Sequence, residues 1–359
     1  MIMGFFSNIS GEQRSIFANE LALDYNFVPK LIPFRDMQQK YIASCIKPLF
    51  SNRNGKNIVL FGPPGVGKTV ATRHILNEME EESDDIVPVY INCWNKNTSY
   101  KVAIEICDIL DYKFTQNKKT EELFAIIKNL LNRKSAVFVF DEIDKAEDYD
   151  FLYTLLEDIY RKTIILITNY KSWVAELDDR IKSRLVPELL EFRAYNREEI
   201  NGILKERAGY AFIPQCVEEP VFDFVAKRTI DMGGDVRTGI YMLREAGMIA
   251  EESGQGCVMI GHAEKATSKM VDFSIKKTEE LDDETQKIFT LVKMKSGGKI
   301  GELFKLYQDE GGNLSYKSFQ RKIAKLDENK FISAEKIMGG SEGTTTMISL
   351  PQEKKLTEF

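Results

Sequence analysis

Short apolar runs recur along the first half of the chain, and segments with helical periodicity separate them. The runs lie at Asn57–Phe61, Ile86–Ile91, Ala136–Phe140, Ile164–Ile167 and Glu188–Phe192. Runs of this length that alternate with helices are typical of buried parallel strands with helices on both faces. The pattern therefore predicts an α/β fold built on a doubly covered parallel sheet.

The strand pattern stops after Arg193, and helical periods take its place. They run through Arg197–Phe212, Val217–Ile230, Val236–Glu251 and His262–Ile275. Apolar residues repeat at helical spacing in each of these segments, whereas alternation with period two is missing. The pattern predicts an all-helical second unit.

The charged, apolar-poor stretch Lys276–Asp283 predicts a linker to a third, small domain. Helical segments follow it, among them Lys299–Gln308 and Ser315–Glu328, and then two short strands, Phe331–Lys336 and Thr344–Leu350, around a glycine-rich turn. This order is typical of a winged helix-turn-helix. We expect three domains: an α/β core with an N-terminal extension over residues 1–194, a helical lid over 195–278 and a winged helix over 279–359.

Composition narrows the class of protein further. The chain has 359 residues and a net charge of −6, and 43% of its residues are hydrophobic, as in foldable water-soluble proteins. No apolar run approaches the roughly 18 residues that a membrane helix needs, and Met1–Phe6 lacks the features of a secretion signal. Five cysteines without a C-x-x-C pair indicate reduced thiols rather than disulfides or structural zinc. We expect a cytoplasmic protein without membrane contact.

The segment Gly62–Thr69 fits the pattern G-x-x-x-x-G-K-[ST] and lies between a predicted strand and a predicted helix. Its glycines let backbone N–H groups wrap phosphates, Lys68 neutralises their charge, and the Thr69 hydroxyl can ligate Mg²⁺. A glycine turn at a helix start is the alternative, but the flanking strand and helix favour phosphate binding. We expect the phosphates of ATP or ADP to contact Pro64, Gly65, Val66, Gly67, Lys68, Thr69 and Val70.

Polar side chains follow two other buried strands. Asp141 and Glu142 end the run at Ala136–Phe140, as in a Walker B element, where Asp141 holds Mg²⁺ through water and Glu142 polarises the attacking water. An acidic pair that caps the following turn is the alternative. Asn169 follows Ile164–Thr168, at the edge where open α/β sheets gather their ligand contacts, and can orient the lytic water. An ordinary turn residue is the alternative for a lone asparagine, but its place after both Walker elements favours function.

Three arginines are candidates for charge stabilisation. Arg180 and Arg184 lie in a short basic segment, for which a solvated helix face is the ordinary explanation. An arginine presented to the γ-phosphate of a neighbouring molecule is the alternative. Arg237 opens a helix of the second unit and can reach back to the same nucleotide.

In this order the elements resemble those of a AAA+ ATPase and, more narrowly, the archaeal origin-recognition and helicase-loading initiator family. The resemblance extends from about Asp24 to Leu350 and is carried by these segments: Phe27–Arg35, Tyr90–Cys93, Ile167–Asn169, Asp179–Ser183 and Gly234–Arg237.

The resemblance implies roles for individual residues. Asn169 would be sensor 1, Arg237 sensor 2 and Arg184 the arginine finger, alongside Glu142 in catalysis. The Val28–Arg35 segment would pack on the adenine, with Val28, Pro29 and Arg35 as contact residues. A further family motif that presses on DNA maps loosely to 111–119.

The winged-helix segment has the charge of a DNA reader. Across residues 313–332 five basic residues outnumber two acidic ones, and such a helix fits the major groove. We expect contacts to DNA from Tyr316, Lys317, Ser318, Gln320, Arg321, Lys322 and Lys325, and Lys330 adds to the charge. Residues 281–359 as a whole carry 13 basic and 12 acidic side chains. A winged helix that binds protein therefore remains an alternative to one that binds DNA.

Motifs and resemblance together predict an ATP-binding replication initiator with slow hydrolysis as a switch. Origin duplex DNA and the minichromosome maintenance helicase are the partners that the resemblance implies, together with a second copy or a paralogue on DNA and a place at the nucleoid. Two alternatives remain: a regulatory AAA+ or STAND-like switch whose winged helix binds protein, and a clamp-loader-type ATPase, which would end in a helical collar.

Overall fold

The computed structural model describes residues 15–24, 27–279, 282–295, 298–328, 332–337 and 345–349. The chain divides into two compact units, Met1–Ala263 and Glu264–Phe359. Within the described ranges, no helix has both the length and the apolar character needed to cross a bilayer.

A five-stranded parallel sheet forms the core of the first unit. Its strands are β1 (Ile58–Phe61), β2 (Ile86–Asn92), β3 (Ser135–Asp141), β4 (Lys162–Thr168) and β5 (Glu188–Glu191). They are ordered β2-β3-β4-β1-β5, and every pairing is parallel. Because β3 and β4 are buried along their whole length, they need residues such as Val, Ile and Phe at consecutive positions. The predicted parallel sheet is confirmed.

Helices of the first unit precede the sheet, connect its strands or follow it. They are α1 (Asp36–Ile46), α2 (Lys68–Glu82), α3 (Ser99–Ile109), α4 (Thr120–Leu131), α5 (Asp150–Asp158), α6 (Trp173–Glu176), α7 (Asp179–Leu185), α8 (Arg197–Ala211), α9 (Glu219–Asp231) and α10 (Val236–Glu252). Short 3₁₀ helices lie at Glu20–Leu23, Lys47–Ser51 and Ile143–Lys145. The apolar faces of α3, α4, α5 and α7 pack with the sheet into one core.

The strand register brings the carboxyl ends of the central strands to one edge. Phe61 at the end of β1 pairs with Thr168 at the end of β4, and Asn92 at the end of β2 pairs with Asp141 at the end of β3. Residues that directly follow these strands therefore meet at this edge, which is where open α/β sheets bind ligands.

Helices α8, α9 and α10 form the lid helices. A capping box begins α8, in which the Asn196 side chain accepts from the backbone of Glu199 and the Glu199 carboxylate accepts from the backbone of Asn196. Arg193 reinforces this turn through an ion pair with Glu199. The N-terminal segment is held on the same helices, because the ring of Phe17 stacks on Phe212 with centroids 4.8 Å apart.

The helix α11 (Ile260–Glu279) continues into the second unit. There, α12 (Asp283–Lys295), α13 (Ile300–Asp309) and α14 (Tyr316–Glu328) accompany three strands, β6 (Gly298–Lys299), β7 (Ser333–Ile337) and β8 (Thr345–Ser349). The strands form an antiparallel sheet in the order β6-β8-β7. An apolar core that includes Tyr307 and Phe319 joins helices and sheet.

Two sequence expectations for this region differ from the structure or lie outside it. The expected linker Lys276–Asp283 is helical up to Glu279, because lysine and glutamate are good helix formers even without an apolar stripe. Residues 280 and 281 lie outside the described part of the chain. The same holds for the expected glycine-rich turn around residues 339–343, and for residues 330, 331, 344 and 350, whereas the flanking strands are present as β7 and β8.

Candidate nucleotide site

The loop between β1 and α2 has the conformation that its glycines allow. Gly67 precedes α2 with φ 89°, a left-handed conformation that side chains with a Cβ rarely adopt. A Cβ at this position would also lie 2.8 Å from the Tyr195 hydroxyl. The loop thus presents its backbone at the N-terminus of α2, the usual arrangement for an anion site.

The side chain of Lys68 is buried at the first turn of α2 and points into this loop. Its ammonium donates to the carbonyl oxygens of Gly62 at 2.6 Å and Pro63 at 2.8 Å, and to Asn169 Oδ1 at 3.0 Å. Burial lowers the pKa of Lys68 from 10.5 to about 8, because its immediate neighbours are neutral acceptors. A bound phosphate would supply the negative charge that the ammonium lacks.

The Asp141 carboxylate faces the same loop from the end of β3. Its Oδ2 accepts from the Thr69 hydroxyl at 2.7 Å and from the Tyr90 hydroxyl at 2.6 Å. Burial and the neighbouring carboxylate raise the pKa of Tyr90, so the phenol stays a hydrogen-bond donor. Thr69 and Asp141 thereby place two hard oxygen ligands side by side, the donor type that Mg²⁺ prefers.

Glu142 is held in a left-handed conformation, with φ 53° and ψ 44°. Its backbone N–H donates to Asp141 Oδ1 at 2.9 Å, which fixes the turn directly after β3. A strained conformation of this kind at a non-glycine residue is typical of functional sites. Burial, and then the charge of Asp141, raise the pKa of the Glu142 carboxyl, as suits a group that takes up a proton.

A cavity of about 300 Å³ extends from these groups toward the N-terminal segment. Its polar end is lined by the residues expected at the phosphates and in catalysis: Pro64, Gly65, Val66, Gly67, Lys68, Thr69, Val70, Asp141, Glu142, Asn169 and Arg237. Its apolar end combines Val28, Pro29 and Ile32 with Ile203 and Ile240 of the lid helices. One side of the cavity therefore binds phosphate, and the other suits a flat apolar base.

Arg35 does not line this cavity, although the sequence suggested direct contact with the nucleotide. The guanidinium is fully buried and donates to the carbonyl oxygens of Val66 at 3.0 Å and Arg193 at 2.7 Å. It also stacks over the Tyr195 ring at 3.7 Å. Arg35 supports the phosphate loop from behind, a role that a motif alone does not reveal because burial depends on the tertiary fold.

Arg180 and Arg184 lie on α7, outside the residues that line the cavity. Arg184 pairs with Glu157 and stacks over the Tyr153 ring at 4.8 Å, and Arg180 pairs with Asp178. Within one molecule, neither guanidinium reaches the nucleotide site. Either one is available to another molecule, because the Arg180 and Arg184 side chains are partly to largely exposed.

Arg237 lies in the first turn of α10 and lines the cavity opposite Lys68. Its guanidinium pairs with Asp235, with Nε 3.0 Å from Oδ1 and Nη2 2.6 Å from Oδ2. The hydrogen bond with Asp235 raises the pKa of Arg237, and the nearby carboxylates of Glu142 and Asp141 add to the effect. The lid helices thus contribute a cation to the phosphate end of the cavity.

Sequence reasoning missed several groups of this site. Tyr90 binds the Asp141 carboxylate, and Arg73 stacks over its ring at 4.3 Å. Arg207 of α8 is buried at the apolar end and donates to the carbonyl oxygens of Ala22 at 2.9 Å and Phe27 at 3.0 Å. Tyr90 stands in a segment that carried the resemblance, but nothing in the sequence indicates which side chain its hydroxyl contacts.

The side chains expected at DNA lie on α14, in the second unit. Lys317, Gln320 and Arg321 are exposed, whereas Tyr316 is partly covered because its ring packs edge-on against Phe304, with centroids 5.0 Å apart. The backbone N–H of Ser318 donates to the Ser315 hydroxyl at 3.3 Å, as at a helix start.

Lys322 differs from these residues, because its ammonium is bound within the second unit. It pairs with the Asp282 carboxylate and donates to the Thr285 hydroxyl at 3.0 Å. These contacts lower the pKa of Asp282 to about 2. The side chain of Lys325 lies outside the described part of the chain.

Comparison with protein families matches the phosphate loop and the lid helices to known domains. Residues 52–170 match the family model described as AAA domain, and residues 201–268 match the Cdc6 AAA+ ATPase-type lid domain. Fold and site together define a nucleotide-binding ATPase of the AAA+ class.

Known proteins with similar sequence and fold narrow this class. ORC1-type DNA replication protein 1 of Sulfurisphaera tokodaii is 35% identical over 271 residues, which cover 72% of this chain and 68% of that protein. The chain belongs to the family of ORC1-type DNA replication proteins.

Solved structures agree on the fold. The Aeropyrum pernix ORC1 protein in complex with DNA matches with a TM-score of 0.73 and 24% identity, covering 93% of this chain and 94% of that one. The Aeropyrum pernix ORC2 protein in its ADPNP–ADP complexes matches with a TM-score of 0.68 and 19% identity, covering 94% of each chain.

Proposed function

We propose that this chain is an ATP-switched replication initiator that recognises origin duplex DNA and helps to load the replicative minichromosome maintenance helicase. The observation that carries the switch is the composition of the cavity, which takes Lys68 from the phosphate loop and Arg237 from the lid helices. A nucleotide that contacts both cations stabilises one arrangement of core and lid, and loss of the γ-phosphate removes part of that stabilisation.

Mg²⁺ fits the oxygen donors of this site. The Thr69 hydroxyl and the Asp141 carboxylate would hold it, and when bound it neutralises charge on the β- and γ-phosphate oxygens. Glu142 accepts the proton of the attacking water, and Asn169 orients that water beside the γ-phosphate. Lys68 and Arg237 stabilise the charge that develops on the phosphate oxygens.

Hydrolysis is slow in the isolated molecule, because Arg184 does not reach the cavity of its own chain. An arginine finger supplied by a second copy or a paralogue accelerates phosphoryl transfer by orders of magnitude. Arg184 is suited to this role because its guanidinium is partly exposed on α7. Self-association on DNA would then couple hydrolysis to assembly at the origin.

The second unit, from the end of the lid to the C-terminus, acts as a winged helix that reads DNA. The helices α12, α13 and α14 and the β6-β8-β7 sheet have the content expected of this fold, and α14 presents Lys317, Gln320 and Arg321 to solvent. The similar Aeropyrum pernix ORC1 protein was solved in complex with DNA, which supports the same partner for this chain. Helices mixed with strands also differ from the helical collar of a clamp loader. In this assignment the core, lid and winged helix are three functional domains, and the protein acts at the nucleoid.

Fluorescence anisotropy of labelled duplex DNA across a salt series tests this assignment. We expect Lys317→Ala and Arg321→Ala each to weaken binding and to reduce the salt slope by about 1, because each removes one phosphate contact. Lys227→Ala is the matched control, since Lys227 is exposed on α9 of the lid helices.

A regulatory ATPase that binds protein is the second candidate. The net charge of +1 over residues 281–359 favours it, because DNA-binding domains commonly carry a larger positive charge. Unchanged DNA affinity in both α14 variants, or absence of DNA binding at low salt, would favour the regulatory ATPase that binds protein.

A further inference from the structure

Asp235 makes contacts that a helix cap alone does not require. It precedes α10, and its Oδ1 accepts from the backbone N–H of Arg237 at 2.9 Å, which is the ordinary capping bond. The same carboxylate also accepts from the Arg237 guanidinium through both oxygens, at 3.0 and 2.6 Å. The planar fork of an arginine matches a single two-oxygen anion, so Asp235 occupies the geometry that a phosphate would use.

The Asp235 carboxylate also lies against the phosphate loop. A Cβ at Gly65 would stand 1.9 Å from Asp235 Oδ1 and 2.9 Å from its Cα. Gly65 has φ 72°, a left-handed conformation, and it lines the cavity. An internal carboxylate is therefore held directly beside the backbone that receives phosphates.

The charges around this position set up a competition. Lys68 and Arg237 are two of the cations that line the cavity, and Asp141, Glu142 and Asp235 are carboxylates near Arg237. A γ-phosphate that binds the Nε and Nη2 edge of the Arg237 guanidinium competes with Asp235 for these donors. A diphosphate has no γ-group and leaves the pair intact.

We propose that Asp235 is a specificity-determining residue, which lowers the affinity for ATP relative to ADP by holding the guanidinium of Arg237. This inference rests on the proposed function, in which Arg237 contacts the γ-phosphate. Asp235 acts through Arg237 and does not itself bind nucleotide. Asp235 thereby sets the ratio of ATP to ADP concentration at which the ATP-bound protein outnumbers the ADP-bound protein.

Asp235→Asn tests the proposal in the full-length protein, with ATP and ADP affinities measured by calorimetry in the presence of Mg²⁺. Asparagine caps a helix as well as aspartate does, so the start of α10 is retained while the charge is removed. The Kd for ATP should fall about three- to fivefold, a size set by a partly exposed ion pair, and the Kd for ADP should stay constant. Asp231→Asn is the matched control, because Asp231 pairs with Arg228 outside the cavity.

The Arg237→Ala variant and the double variant separate the role of Arg237 as a sensor from the effect of Asp235 on it. In the Arg237→Ala background, Asp235→Asn should leave the ATP-to-ADP affinity ratio unchanged. If Arg237→Ala itself spares that ratio, the sensor role in the proposed function fails, and the inference fails with it. If Arg237→Ala lowers ATP affinity selectively but Asp235→Asn changes both nucleotides equally or weakens ATP, only the inference on Asp235 is overturned.

Discussion

Nucleotide binding should be coupled to proton uptake above pH 8, because Lys68 is a buried ammonium that donates to neutral oxygens. Its side chain is 6% exposed, and its donors are used on two carbonyl oxygens and the Asn169 amide oxygen. Burial lowers its pKa from 10.5 to about 8. Bound phosphates place negative charge beside the ammonium and return its pKa to the ordinary range.

The size of the effect follows from these two values. At pH 9 a group of pKa 8 is only about 10% protonated, so phosphate binding should draw in roughly 0.9 proton per nucleotide. At pH 7 the same group is already about 90% protonated, and the uptake falls to roughly 0.1. Between pH 8 and 10.5 the affinity should fall about tenfold per pH unit.

Calorimetry of ADP binding in two buffers with different ionisation enthalpies measures this uptake directly. At pH 9 the phosphates of the nucleotide are fully ionised, since their last pKa is near 6, so the signal belongs to the protein. Binding at pH 9 without proton exchange, or with the same exchange as at pH 7, would refute the assignment to Lys68.

The lowered pKa of Lys68 also makes the free energy of unfolding depend on pH. The direction of this dependence is opposite to that produced by a lysine in an ion pair. The unfolded chain holds the Lys68 proton up to pH 10.5, whereas the nucleotide-free folded protein releases it near pH 8. Stability of the nucleotide-free protein should therefore rise from pH 8 to 10.5, by at most about 3 kcal/mol from this group. Urea unfolding of wild type and Lys68→Met across this range isolates the contribution.

Three further changes give distinct outcomes. Glu142→Gln should retain ATP binding but lower the hydrolysis rate by about 100-fold or more, because the attacking water loses its proton acceptor. Phosphate release measures hydrolysis, and nucleotide retention on filters measures binding. Normal turnover would contradict the role of Glu142 as the proton acceptor. Gly65→Ala should weaken nucleotide binding at least tenfold and lower the Tm. The new Cβ would lie 1.9 Å from Asp235 Oδ1, and residue 65 has a left-handed backbone conformation. An unchanged Kd would contradict the close contact between Asp235 and the phosphate loop. Asp282→Asn should cost less than about 1 kcal/mol at neutral pH, since the Asp282 side chain is 51% exposed. The stabilisation by the Asp282–Lys322 pair is present above the unfolded pKa of 3.8 and is lost as the pH falls toward 2, so acid titration of the two proteins should converge there.

The sequence predicts the residues at the phosphate end of the site better than the buried residues that hold the phosphate loop in place. Lys68, Thr69 and Asp141 belong to short motifs whose local geometry is fixed by a strand and a turn, and the strand register then brings them together. Arg35 lies in a segment that resembles the family just as clearly, yet its guanidinium is buried behind the loop. Burial of a side chain depends on which segments pack around it, and a linear pattern does not contain this information.

In the second unit, the sequence likewise does not indicate which basic side chains are exposed and which form internal ion pairs. Lys317 and Lys322 lie five positions apart on α14 and are equivalent in a count of basic residues. The structure separates them, because Lys322 pairs with Asp282 from the preceding segment whereas Lys317 is exposed. Only a contact between residues 40 positions apart distinguishes the exposed lysine from the lysine in an internal ion pair.

Two buried arginines connect the nucleotide cavity to the lid helices. Arg35 binds the phosphate-loop carbonyl of Val66 and the carbonyl of Arg193, just before α8. Arg207 of α8 binds the carbonyls of Ala22 and Phe27, next to the apolar end of the cavity. Burial lowers the pKa of both, yet an arginine keeps its proton, so neither guanidinium can leave its carbonyl partners without a large loss of free energy. The segments at the two ends of the cavity are therefore fastened to α8 or to the residues just before it, and we expect movement of either segment to be coupled to the lid helices.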